Sequence, residues 1–444
     1  MISSKDNQLL TDVTQGAPAG AVLRSYWQPA ALMEELTAER PIVPVTLFGE
    51  ELVLFHIEDD AYGLIGRHCP HRGADLCFGR LENGALRCTF HGWLFDEQGQ
   101  CLEQPAEPVD SLFHKKLKHT AYPCVARNGI IFAYLGDGDP PPFPEHDCFE
   151  APDPQTFAFK GWWECNWLQA LEVGIDPAHA SFLHRFLEDE NPEESYGKQF
   201  RAGAAGTNIP LTKILREYER PAINIDETDY GFRLLTTREI DPETTHYRIT
   251  NLVFPNAIAI PMSDQMTITQ WHVPIDNENC YWYSIFTSFS GSVDRALMRA
   301  QRLEEHSLPD YRPRKNKSNG YGFDLSEQRS KTFTGMGMDI NVHDQWAVES
   351  LGPIADRTRE HLGQTDIGIK RYRRLLKQAM RAESVADLPF RPGNDTNRNF
   401  RGPVAIDALG APSDTDCWKK LDLKRRQQND WAKDPWQTDK PDSD

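Results

Sequence analysis

Long apolar runs are absent from this sequence. No stretch approaches the roughly eighteen consecutive apolar residues that a membrane-spanning helix needs. The N-terminal stretch MISSKDNQLLTDV also lacks the basic segment and the apolar centre of a secretory signal. Positive charge is scarce too, because 48 Lys and Arg stand against 66 Asp and Glu, a formal net charge of −18. We therefore expect a soluble, cytoplasmic protein without membrane or nucleic-acid partners.

The spacing of the cysteines argues against a disulfide framework. The nine cysteines are Cys69, Cys77, Cys88, Cys101, Cys124, Cys148, Cys165, Cys280 and Cys417. Two of them belong to a metal motif described next, and the other seven show no paired spacing, which favours free thiols in a reducing compartment. A chain of 444 residues with 39% hydrophobic content is long enough for two or three globular domains.

Residues 67–93 carry the strongest motif of the chain. Cys69-x-His71 is followed by sixteen residues and then by Cys88-x-x-His91, so each of two turns supplies one sulfur and one nitrogen. A zinc finger groups its two cysteines together and its two histidines together, which is a different spacing. The mixed pairs are typical of a Rieske [2Fe–2S] cluster, in which two histidines replace two cysteines on one iron. We therefore predict that Cys69, His71, Cys88 and His91 bind such a cluster.

Short β-type runs surround this motif. VTLFG, ELVLFHI and YGLIGRHC precede it, and GIIFAYLG follows it, before a proline-rich stretch at 136–144. Pro70 stiffens the first turn, while Gly73 and Gly92 let the backbone approach a bound group closely. We predict a lead-in at 1–40, a β-rich cluster domain at 41–150, a second domain at 151–411 and a polar tail at 412–444.

The second domain mixes helical and strand patterns. Residues 157–172 and 177–188 read as helical, as do 293–305 and 345–380. Between them lie the strand-like runs YGFRLLTT, HYRITNLVF, NAIAIPM, MTITQWHV and YWYSIFTSFS, which predict an antiparallel sheet of long strands. The tail contains Trp418, Trp431 and Trp436, and its state of order is left open by the sequence. The fold class is α+β, with a β-rich N-terminal domain and a helix-flanked antiparallel sheet.

A second group of ligand-type residues lies at Asp176-Pro-Ala-His179 and His184. Asp followed by Pro is also a common helix start, and a histidine pair alone is more often a coincidence. On a regular helix the two histidines would lie about 140° apart, so sharing a metal requires a distorted helix. Two histidines and one carboxylate form the facial site of non-haem Fe(II) oxygenases. The carboxylate candidates in the run at 339–362 are Asp339, Asp344, Glu349 and Asp356.

The two motifs in this order resemble those of one enzyme family. Cys-Pro-His-Arg-Gly, Cys-Thr-Phe-His-Gly-Trp and Asn-Trp-Leu-Gln…Asp-Pro-Ala-His…His closely resemble the large oxygenase subunit of Rieske non-haem iron aromatic ring-hydroxylating oxygenases. The variant looks like the phthalate, 3-chlorobenzoate and phenoxybenzoate dioxygenase group, and the resemblance covers about residues 20–380. It implies a [2Fe–2S] Rieske cluster and a mononuclear Fe(II), the latter in a domain with a curved antiparallel sheet of the helix-grip type.

The resemblance also assigns the metal ligands. It implies that His179 and His184 bind the mononuclear iron. The family's third ligand lies five residues before a Glu of a late helix, which here is Asp344 before Glu349. Asp356 is the alternative if the local register differs.

The family further implies an electron path between subunits. Asp176 resembles an aspartate that links an iron ligand, here His179, to a cluster histidine, here His91, of the neighbouring subunit. Head-to-tail homotrimers, or hexamers made of trimers, would bring the two metal centres together across an interface. Asn166 and Glu172 are offered only as polar groups near the iron, and capping a helix is an equally good interpretation for Asn166.

The implied function is that of a terminal oxygenase. Electrons from NAD(P)H would arrive through a flavin- and ferredoxin-type reductase, and O₂ would be added to an aromatic ring to give a cis-dihydrodiol. An aromatic carboxylate would be held by a bidentate arginine. Candidates in the second domain are Arg201, Arg216, Arg233, Arg238 and Arg248. A mono-oxygenase or O-demethylase, or a Rieske electron carrier without oxygenase activity, are the alternatives.

Three basic runs suggest a docking place for an acidic reductase domain. They are RPRKNK at 312–317, KRYRR at 370–374 and KKLDLKRR at 419–426. Such runs are more often solvated faces of the protein, so docking remains one of two interpretations.

Overall fold

The computed structural model describes residues 1–58, 61–189, 211–391 and 402–436. Its N-terminal part begins with two helices, α1 (Ser4–Thr11) and α2 (Pro18–Arg24). Eleven short strands follow: β1 (Gln28–Leu32), β2 (Ile42–Leu47), β3 (Glu50–Glu58), β4 (Ala61–Gly66), β5 (Arg80–Glu82), β6 (Ala85–Arg87), β7 (Leu94–Phe95), β8 (Cys101–Glu103), β9 (Ala121–Tyr122), β10 (Cys124–Arg127) and β11 (Ile130–Ala133).

These strands form three antiparallel sheets. Their orders are β2-β3-β4-β9, β5-β6-β7-β8 and β1-β11-β10. The first two sheets enclose a small apolar core, separate from the main one, that contains Val53, Phe55, Trp93, Cys69 and Cys88. The two motif cysteines are therefore part of the packing of the N-terminal sheets.

The C-terminal part holds the remaining elements. They are α3 (Asp147–Glu150), β12 (Thr156–Trp163), α4 (Trp167–Gly174), α5 (Ala180–Leu183), α6 (Leu211–Glu217), β13 (Ala222–Thr228), β14 (Gly231–Asp241), β15 (Thr244–Val253), β16 (Ala257–Pro261), β17 (Met266–Pro274), β18 (Cys280–Ser288), α7 (Arg295–Glu305), β19 (His306–Ser307), β20 (Arg312–Pro313), α8 (Leu325–Ser330), α9 (Ile340–Glu349), α10 (Ile367–Ala379), β21 (Ile406–Gly410) and α11 (Cys417–Arg426). An antiparallel sheet runs in the order β12-β18-β17-β16-β15-β14-β13, with β21 added beside β15. The predicted α+β fold class is confirmed.

Helix α4 packs on one face of this large sheet. Leu168 and Leu171 are buried there, and a Cβ added to Gly174 would come within 2.3 Å of the Ile258 side chain on β16. The last turn of α4 can therefore lie this close to the sheet only because residue 174 has no side chain. The close contact fixes the position of residues 176–184, which follow directly.

The helix predicted over 157–172 is wrong in its first half. TFAFKGWW forms strand β12, which pairs along its whole length with β18, from Thr156 opposite Thr287 to Trp163 opposite Cys280. Aromatic residues favour strands, and the partner strand lies more than one hundred residues away, so the local pattern did not reveal it. The helix begins only at Trp167, where the Asn166 side chain accepts a hydrogen bond from the amide of Leu168.

The other helix predictions have mixed outcomes. The helix predicted over 293–305 is confirmed as α7. The helix predicted over 177–188 is wrong beyond the single turn of α5, and the one over 345–380 is wrong as a single helix, because that range contains only the end of α9 and then α10. Helix α10 has 13 residues, and no helix in the described ranges is long and apolar enough to cross a bilayer. In the tail, α11 packs against β21 and buries Trp418. Residues 437–444 of that tail lie outside the described part of the chain.

Candidate metal centres

The first cluster turn is held by two backbone hydrogen bonds. The amide of Cys69 donates to the carbonyl of Ala74, and the amide of Gly73 donates back to the carbonyl of Cys69, both at 2.8 Å. Gly73 has a φ of 76°, a conformation that residues with a side chain rarely adopt. These hydrogen bonds and the positive φ of Gly73 close the turn that carries Cys69 and His71.

The second turn repeats this arrangement. The amide of Cys88 donates to the carbonyl of Trp93 at 2.8 Å, and the amide of Gly92 donates to the carbonyl of Cys88 at 2.9 Å. Gly92 has a φ of 77°, and a Cβ there would come within 2.7 Å of Pro105. Two turns with the same hydrogen-bond pattern therefore present one Cys/His pair each.

The donor atoms of the four motif residues suit a cluster. His71 and His91 are only half-buried, yet their Nδ1 atoms are buried and have no hydrogen-bond partner in the described ranges. Their ring centroids lie 4.3 Å apart. Cys69 and Cys88 are almost fully buried, and burial, with the neighbouring Cys88, raises the pKa of Cys69 to about 12. Two inward nitrogens beside two buried sulfurs fit a [2Fe–2S] cluster with mixed ligation.

Aromatic rings flank both cluster histidines. Trp93 stacks on His71 with the ring centroids 4.4 Å apart, and Phe113 meets Trp93 edge-on at 5.9 Å. On the other side Phe90 lies 4.0 Å from His91. Phe90 is 56% exposed and Phe113 is 48% exposed, so each histidine is connected to the surface by a different aromatic side chain.

The second metal motif lies on a one-turn helix. Helix α5 has four residues, with His179 at its N-terminal end and His184 at its C-terminal end. Neither histidine is inside the regular helix, so the 140° separation that a continuous helix would impose does not apply. The sequence analysis required a distortion here, and the chain meets that requirement by ending the helix after a single turn.

Asp344 of α9 completes a group of three potential ligands. The Nε2 atoms of His179 and His184 lie 3.1 Å apart. Asp344 Oδ1 lies 3.2 Å from His184 Nε2 and 3.7 Å from His179 Nε2. In the described ranges this is the one group of at least three Cys, His or acidic residues whose ligand atoms all lie within 4.8 Å of one another.

Electrostatics at this group indicate that a cation is needed. Burial raises the pKa of Asp344 to about 6 and, together with the neighbouring His184, lowers the pKa of His179. Three acceptor atoms facing one another have no favourable arrangement unless a proton or a metal ion lies between them. Two imidazoles and one carboxylate on one side fit the facial site of a non-haem Fe(II).

Asp176 holds His179 in position. Its backbone carbonyl accepts a hydrogen bond from His179 Nδ1, which leaves Nε2 without a proton and free to bind a metal. Its carboxylate accepts a bond from the amide of Ala178 at 3.0 Å. This is a local turn rather than the predicted helix cap, because α5 starts only at Ala180. The role of Asp176 between subunits stays a prediction.

The other three carboxylate candidates have different partners. Asp339 pairs with Arg302 at 2.7 Å and caps the start of α9. Glu349 accepts bonds from the amide of Glu164 and from the hydroxyl of a tyrosine. Asp356 is exposed and caps its own turn through the amide two residues later. Of the four, only Asp344 lies beside the two histidines.

Glu172 and Asn166 point away from the histidine pair. Glu172 is buried between two guanidinium groups, with Arg357 at 2.9 Å and Arg373 at 2.5 Å. These charges keep the pKa of Glu172 below its ordinary value despite its burial. Asn166 caps α4 and donates to two backbone carbonyls outside that helix. Both residues therefore hold helix α4 in place, and neither lines the metal group.

Among the described arginine candidates, Arg238 alone has no carboxylate partner. Arg216 pairs with Asp189, Arg233 with Asp226 and Arg248 with Asp407, while Arg201 lies outside the described residues. Arg238 is 2% exposed; its Nε donates to the carbonyl of Tyr218 at 3.0 Å and its Nη2 to Ser181 Oγ, on α5, at 3.4 Å. Burial lowers the pKa of Arg238 to about 10, so it remains charged at neutral pH.

Arg238 belongs to a buried polar group that the sequence analysis missed. The register pairs Arg238 with His246 and Thr236 with Arg248, so alternate residues of β14 and β15 share one sheet face. Four buried atoms on this face have no hydrogen-bond partner in the described ranges: Thr236 Oγ1, Arg238 Nη1, His246 Nδ1 and Thr250 Oγ1. The sequence signal that could have revealed this group is the alternation of polar residues at 236, 238, 246, 248 and 250. Unsatisfied buried groups at this density indicate a site for a polar ligand or ordered water.

Two family descriptions cover most of the chain. Residues 26–118 match the Rieske [2Fe–2S] domain, and residues 133–425 match the family described as LigXa C-terminal domain like. The second match alone spans more than half of the sequence. The chain therefore belongs to the Rieske oxygenases with a LigXa-type C-terminal domain, and it is an oxidoreductase whose family cofactors are a [2Fe–2S] cluster and a mononuclear iron.

Curated relatives narrow the group. The chain is 32% identical to the phthalate 4,5-dioxygenase oxygenase subunit of Pseudomonas putida, over 86% of this chain and 87% of that protein. It is 30% identical to the 3-chlorobenzoate-3,4-dioxygenase oxygenase subunit of Comamonas testosteroni, over 91% and 94%. It is 32% identical to the 5,5'-dehydrodivanillate O-demethylase oxygenase subunit of a Sphingobium species, over 93% and 87%. The resemblance to the phthalate and chlorobenzoate group is confirmed.

A solved structure shares the fold. NdmA of Pseudomonas putida CBB5, solved as a QL mutant with theobromine, aligns with a TM-score of 0.55 at 21% identity. The alignment covers 83% of this chain and 95% of NdmA. At this identity the likeness establishes the two-part fold and nothing about the substrate.

Proposed function

We propose that this chain is the terminal oxygenase of a multicomponent dioxygenase that acts on an aromatic carboxylate. It would use O₂ and electrons from NAD(P)H, delivered by a separate reductase, to convert the aromatic ring to a cis-dihydrodiol. The observation that carries the proposal is the presence, in one chain, of two distinct sets of metal-binding side chains. One set fits a two-iron cluster and the other fits a single ferrous ion.

Seven side chains would hold the two groups. Cys69, Cys88, His71 and His91 hold the [2Fe–2S] cluster, and the facial group holds Fe(II) with His179, His184 and Asp344. When bound, these groups supply one-electron storage and O₂ activation, respectively. The chain contributes the arrangement of the ligands: the carbonyl of Asp176 fixes the tautomer of His179, and Asp344 lies beside both histidines with its side chain mostly buried.

Arg238 supports the choice of an aromatic carboxylate. Within the described residues its buried guanidinium forms no ion pair, although Asp407 lies near enough to raise its pKa, and it contacts α5, which His179 and His184 flank. A carboxylate would satisfy Nη1, a buried donor that has no hydrogen-bond partner in the described residues. Phthalate, 3-chlorobenzoate and 5,5'-dehydrodivanillate, the compounds in the names of the three relatives, are all aromatic carboxylates. We assign Arg238 the role of the carboxylate-binding residue.

A ring of subunits supports electron transfer in this proposal. Exposed apolar side chains lie beside both metal centres: Phe90 next to His91, and Phe182, Trp346 and Leu351 on or next to the helices of the iron site. Apolar exposure of this kind marks protein interfaces. A head-to-tail homotrimer would cover both surfaces, with Asp176 between His179 and the partner subunit's His91.

A mono-oxygenase or O-demethylase is the strongest alternative. The same ligands serve both reactions, and one of the three relatives is named as an O-demethylase subunit. The third hypothesis, an electron carrier without oxygenase activity, is disfavoured because residues 133–425 match the LigXa C-terminal domain family and include the group His179, His184 and Asp344.

Isotope labelling separates these possibilities. The purified, iron-loaded protein is supplied with a surrogate reductase, NADH, ¹⁸O₂ and substituted benzoates, and the products are analysed by mass spectrometry. Incorporation of both labelled atoms into a diol supports the dioxygenase. A single labelled atom, or release of formaldehyde from a methoxybenzoate, would establish the mono-oxygenase or O-demethylase instead. O₂ uptake that does not depend on substrate, with no oxygenated product, would refute both.

A further inference from the structure

A short exposed turn beside the cluster motif carries three lysines. The 3₁₀ turn Phe113–Lys116 and the residues after it present Lys115, Lys116 and Lys118 to solvent. In the described part of the chain none of the three lysines forms an ion pair. They do not pair even with Glu107 and Asp110, the acidic residues of the same loop. In a protein with a net charge of −18, this turn therefore presents a small surface of positive charge.

The same turn is connected to a cluster ligand through stacked rings. Phe113 contacts Trp93 edge-on at 5.9 Å, and Trp93 stacks on His71 at 4.4 Å with an angle of only 12° between the rings. Leu112 is 58% exposed and Phe113 is 48% exposed. An apolar tip rimmed by lysines therefore lies a short distance, through packed side chains, from one cluster histidine.

Among the described residues, ion pairs neutralise half of the charges in the first two longer basic runs and four of the five in the third. In the first run Lys315 pairs with Glu305, and in the second Arg371 pairs with Glu227. The third run pairs its lysines and arginines with acidic residues of the same tail and of α3: Asp414, Asp416, Asp422 and Asp147. These runs are therefore poor candidates for docking an acidic protein.

We propose that Leu112, Phe113, Lys115, Lys116 and Lys118 form the docking surface for the electron donor, an acidic [2Fe–2S] protein or reductase domain. The inference rests on the proposed function, which requires such a donor. One electron leaves the donor, which is oxidised, and reduces the cluster site of this chain by one electron. The lysines attract the acidic face of the donor, and Phe113 and Leu112 supply the apolar contact at its centre.

Charge explains why a dedicated surface is needed. A protein of net charge −18 repels an acidic partner at long range, and association then depends on a local patch of opposite sign. Phe90, which lies beside the other cluster histidine, would contact the neighbouring subunit in the proposed trimer. The donor-docking surface and the subunit interface therefore use different aromatic side chains of the same cluster site.

Binding measurements with the metal-loaded protein test the surface directly. The probe is an oxidised, acidic plant-type [2Fe–2S] ferredoxin, and the dissociation constant is measured by calorimetry at several salt concentrations. The triple variant K115Q/K116Q/K118Q is compared with K419Q/K420Q/K424Q. The second variant removes an equal number of positive charges from the α11 region. The rate of cluster reduction by reduced ferredoxin and by dithionite is measured in parallel by stopped-flow absorbance.

We expect K115Q/K116Q/K118Q to bind ferredoxin about tenfold more weakly at low salt and to lose much of the salt dependence. Its reduction by dithionite should equal that of the wild type, which shows that the cluster is intact. Equal binding by wild type and this variant, or an equal loss in both triple variants, would overturn the surface and leave the proposed oxygenase intact. A wild-type protein that is reduced by dithionite but neither binds nor accepts electrons from ferredoxin would overturn the acidic-donor chemistry itself.

Discussion

Replacing Arg238 by methionine should weaken substrate binding and strengthen the fold at the same time. Methionine has a similar length and no charge, so the variant removes the guanidinium while filling most of its space. The two effects have opposite signs because the charge of Arg238 is buried and forms no ion pair within the described residues. A residue kept for structure would show the reverse behaviour.

The structure sets the size of the stability effect. Burial, with the nearby charge of Arg248, lowers the pKa of Arg238 from 12.5 to about 10, which corresponds to a net cost of about 3 kcal/mol for the charged form. The two hydrogen bonds to Tyr218 and Ser181 contribute roughly 1 kcal/mol each and are lost in the variant. The free energy of unfolding without substrate should therefore rise by about 1 kcal/mol. The measurement is the denaturation midpoint of wild type and variant without ligand.

The effect on binding should be larger. A bidentate pair between a guanidinium and a carboxylate is worth about 3 kcal/mol, or roughly 100-fold in the dissociation constant. Calorimetry compares 3-chlorobenzoate with 3-chlorobenzamide, which has the same shape and no charge. We expect R238M to lose affinity for the acid and to keep its affinity for the amide.

Arg233 provides the matched control. It lies on the same strand, β14, but on the opposite face, where its guanidinium stacks over Trp418 and Trp436 at 5.2 and 4.9 Å from the ring centroids. R233M should bind both ligands as the wild type does. If R238M bound 3-chlorobenzoate normally, or if acid and amide lost affinity equally, Arg238 would not be the carboxylate-binding residue.

Three further predictions concern the metal group, the support of α4 and the response to acid. His179→Ala should lower the iron content from about three to about two per chain and leave the cluster absorbance unchanged, since the cluster and the single-ion group share no ligand. Glu172→Gln should lower the free energy of unfolding by about 3 kcal/mol, because Arg357 and Arg373 would stay buried with less charge compensation. Burial lowers the pKa of His272 to about 3, so the unfolded chain binds a proton between pH 6.5 and 3 that the folded chain does not. The free energy of unfolding should therefore show no pH dependence from His272 above pH 6.5 and should fall by about 2 kcal/mol as the pH is lowered to 5. The His272→Phe variant should lose this part of the pH dependence.

Each of these predictions has a simple control. His361→Ala, at an exposed histidine far from any ligand in the sequence, should retain all of its iron; equal iron in the H179A variant would remove His179 from the ligand set. A Glu172→Gln variant with unchanged denaturation midpoint would show that the buried ion network is not stabilising. For His272, parallel pH–stability curves for wild type and variant would contradict the assigned pKa.

The metal-binding residues could be predicted from the sequence because their ligands are close together along the chain. The turns at Cys69 and Cys88 are each closed by hydrogen bonds within six residues, so residue type and spacing carry most of the information. The histidine pair is also local, and His179 and His184 do come together. Asp344, by contrast, was singled out by family resemblance, because its approach to the histidines depends on the packing of α9 against α4.

Features that depend on distant contacts were missed. Strand β12 is stabilised by β18, and the buried state of Trp418 depends on packing against β21 and on the Arg233 guanidinium. Similarly, the sequence offered five arginines and no way to choose among them. Whether an arginine has a carboxylate partner is decided across strands, as in Arg248 with Asp407, and this pairing is visible only in three dimensions.

The repeated hydrogen bonding of the two cluster turns has a consequence for maturation of the protein. Each turn is closed by its own amides and carbonyls, and the cysteines sit in an apolar core formed by strands on either side. We therefore expect the polypeptide to fold first and to receive an iron–sulfur unit afterwards, with little rearrangement of the backbone. Delivery would then use the side of the two half-exposed imidazoles, His71 and His91.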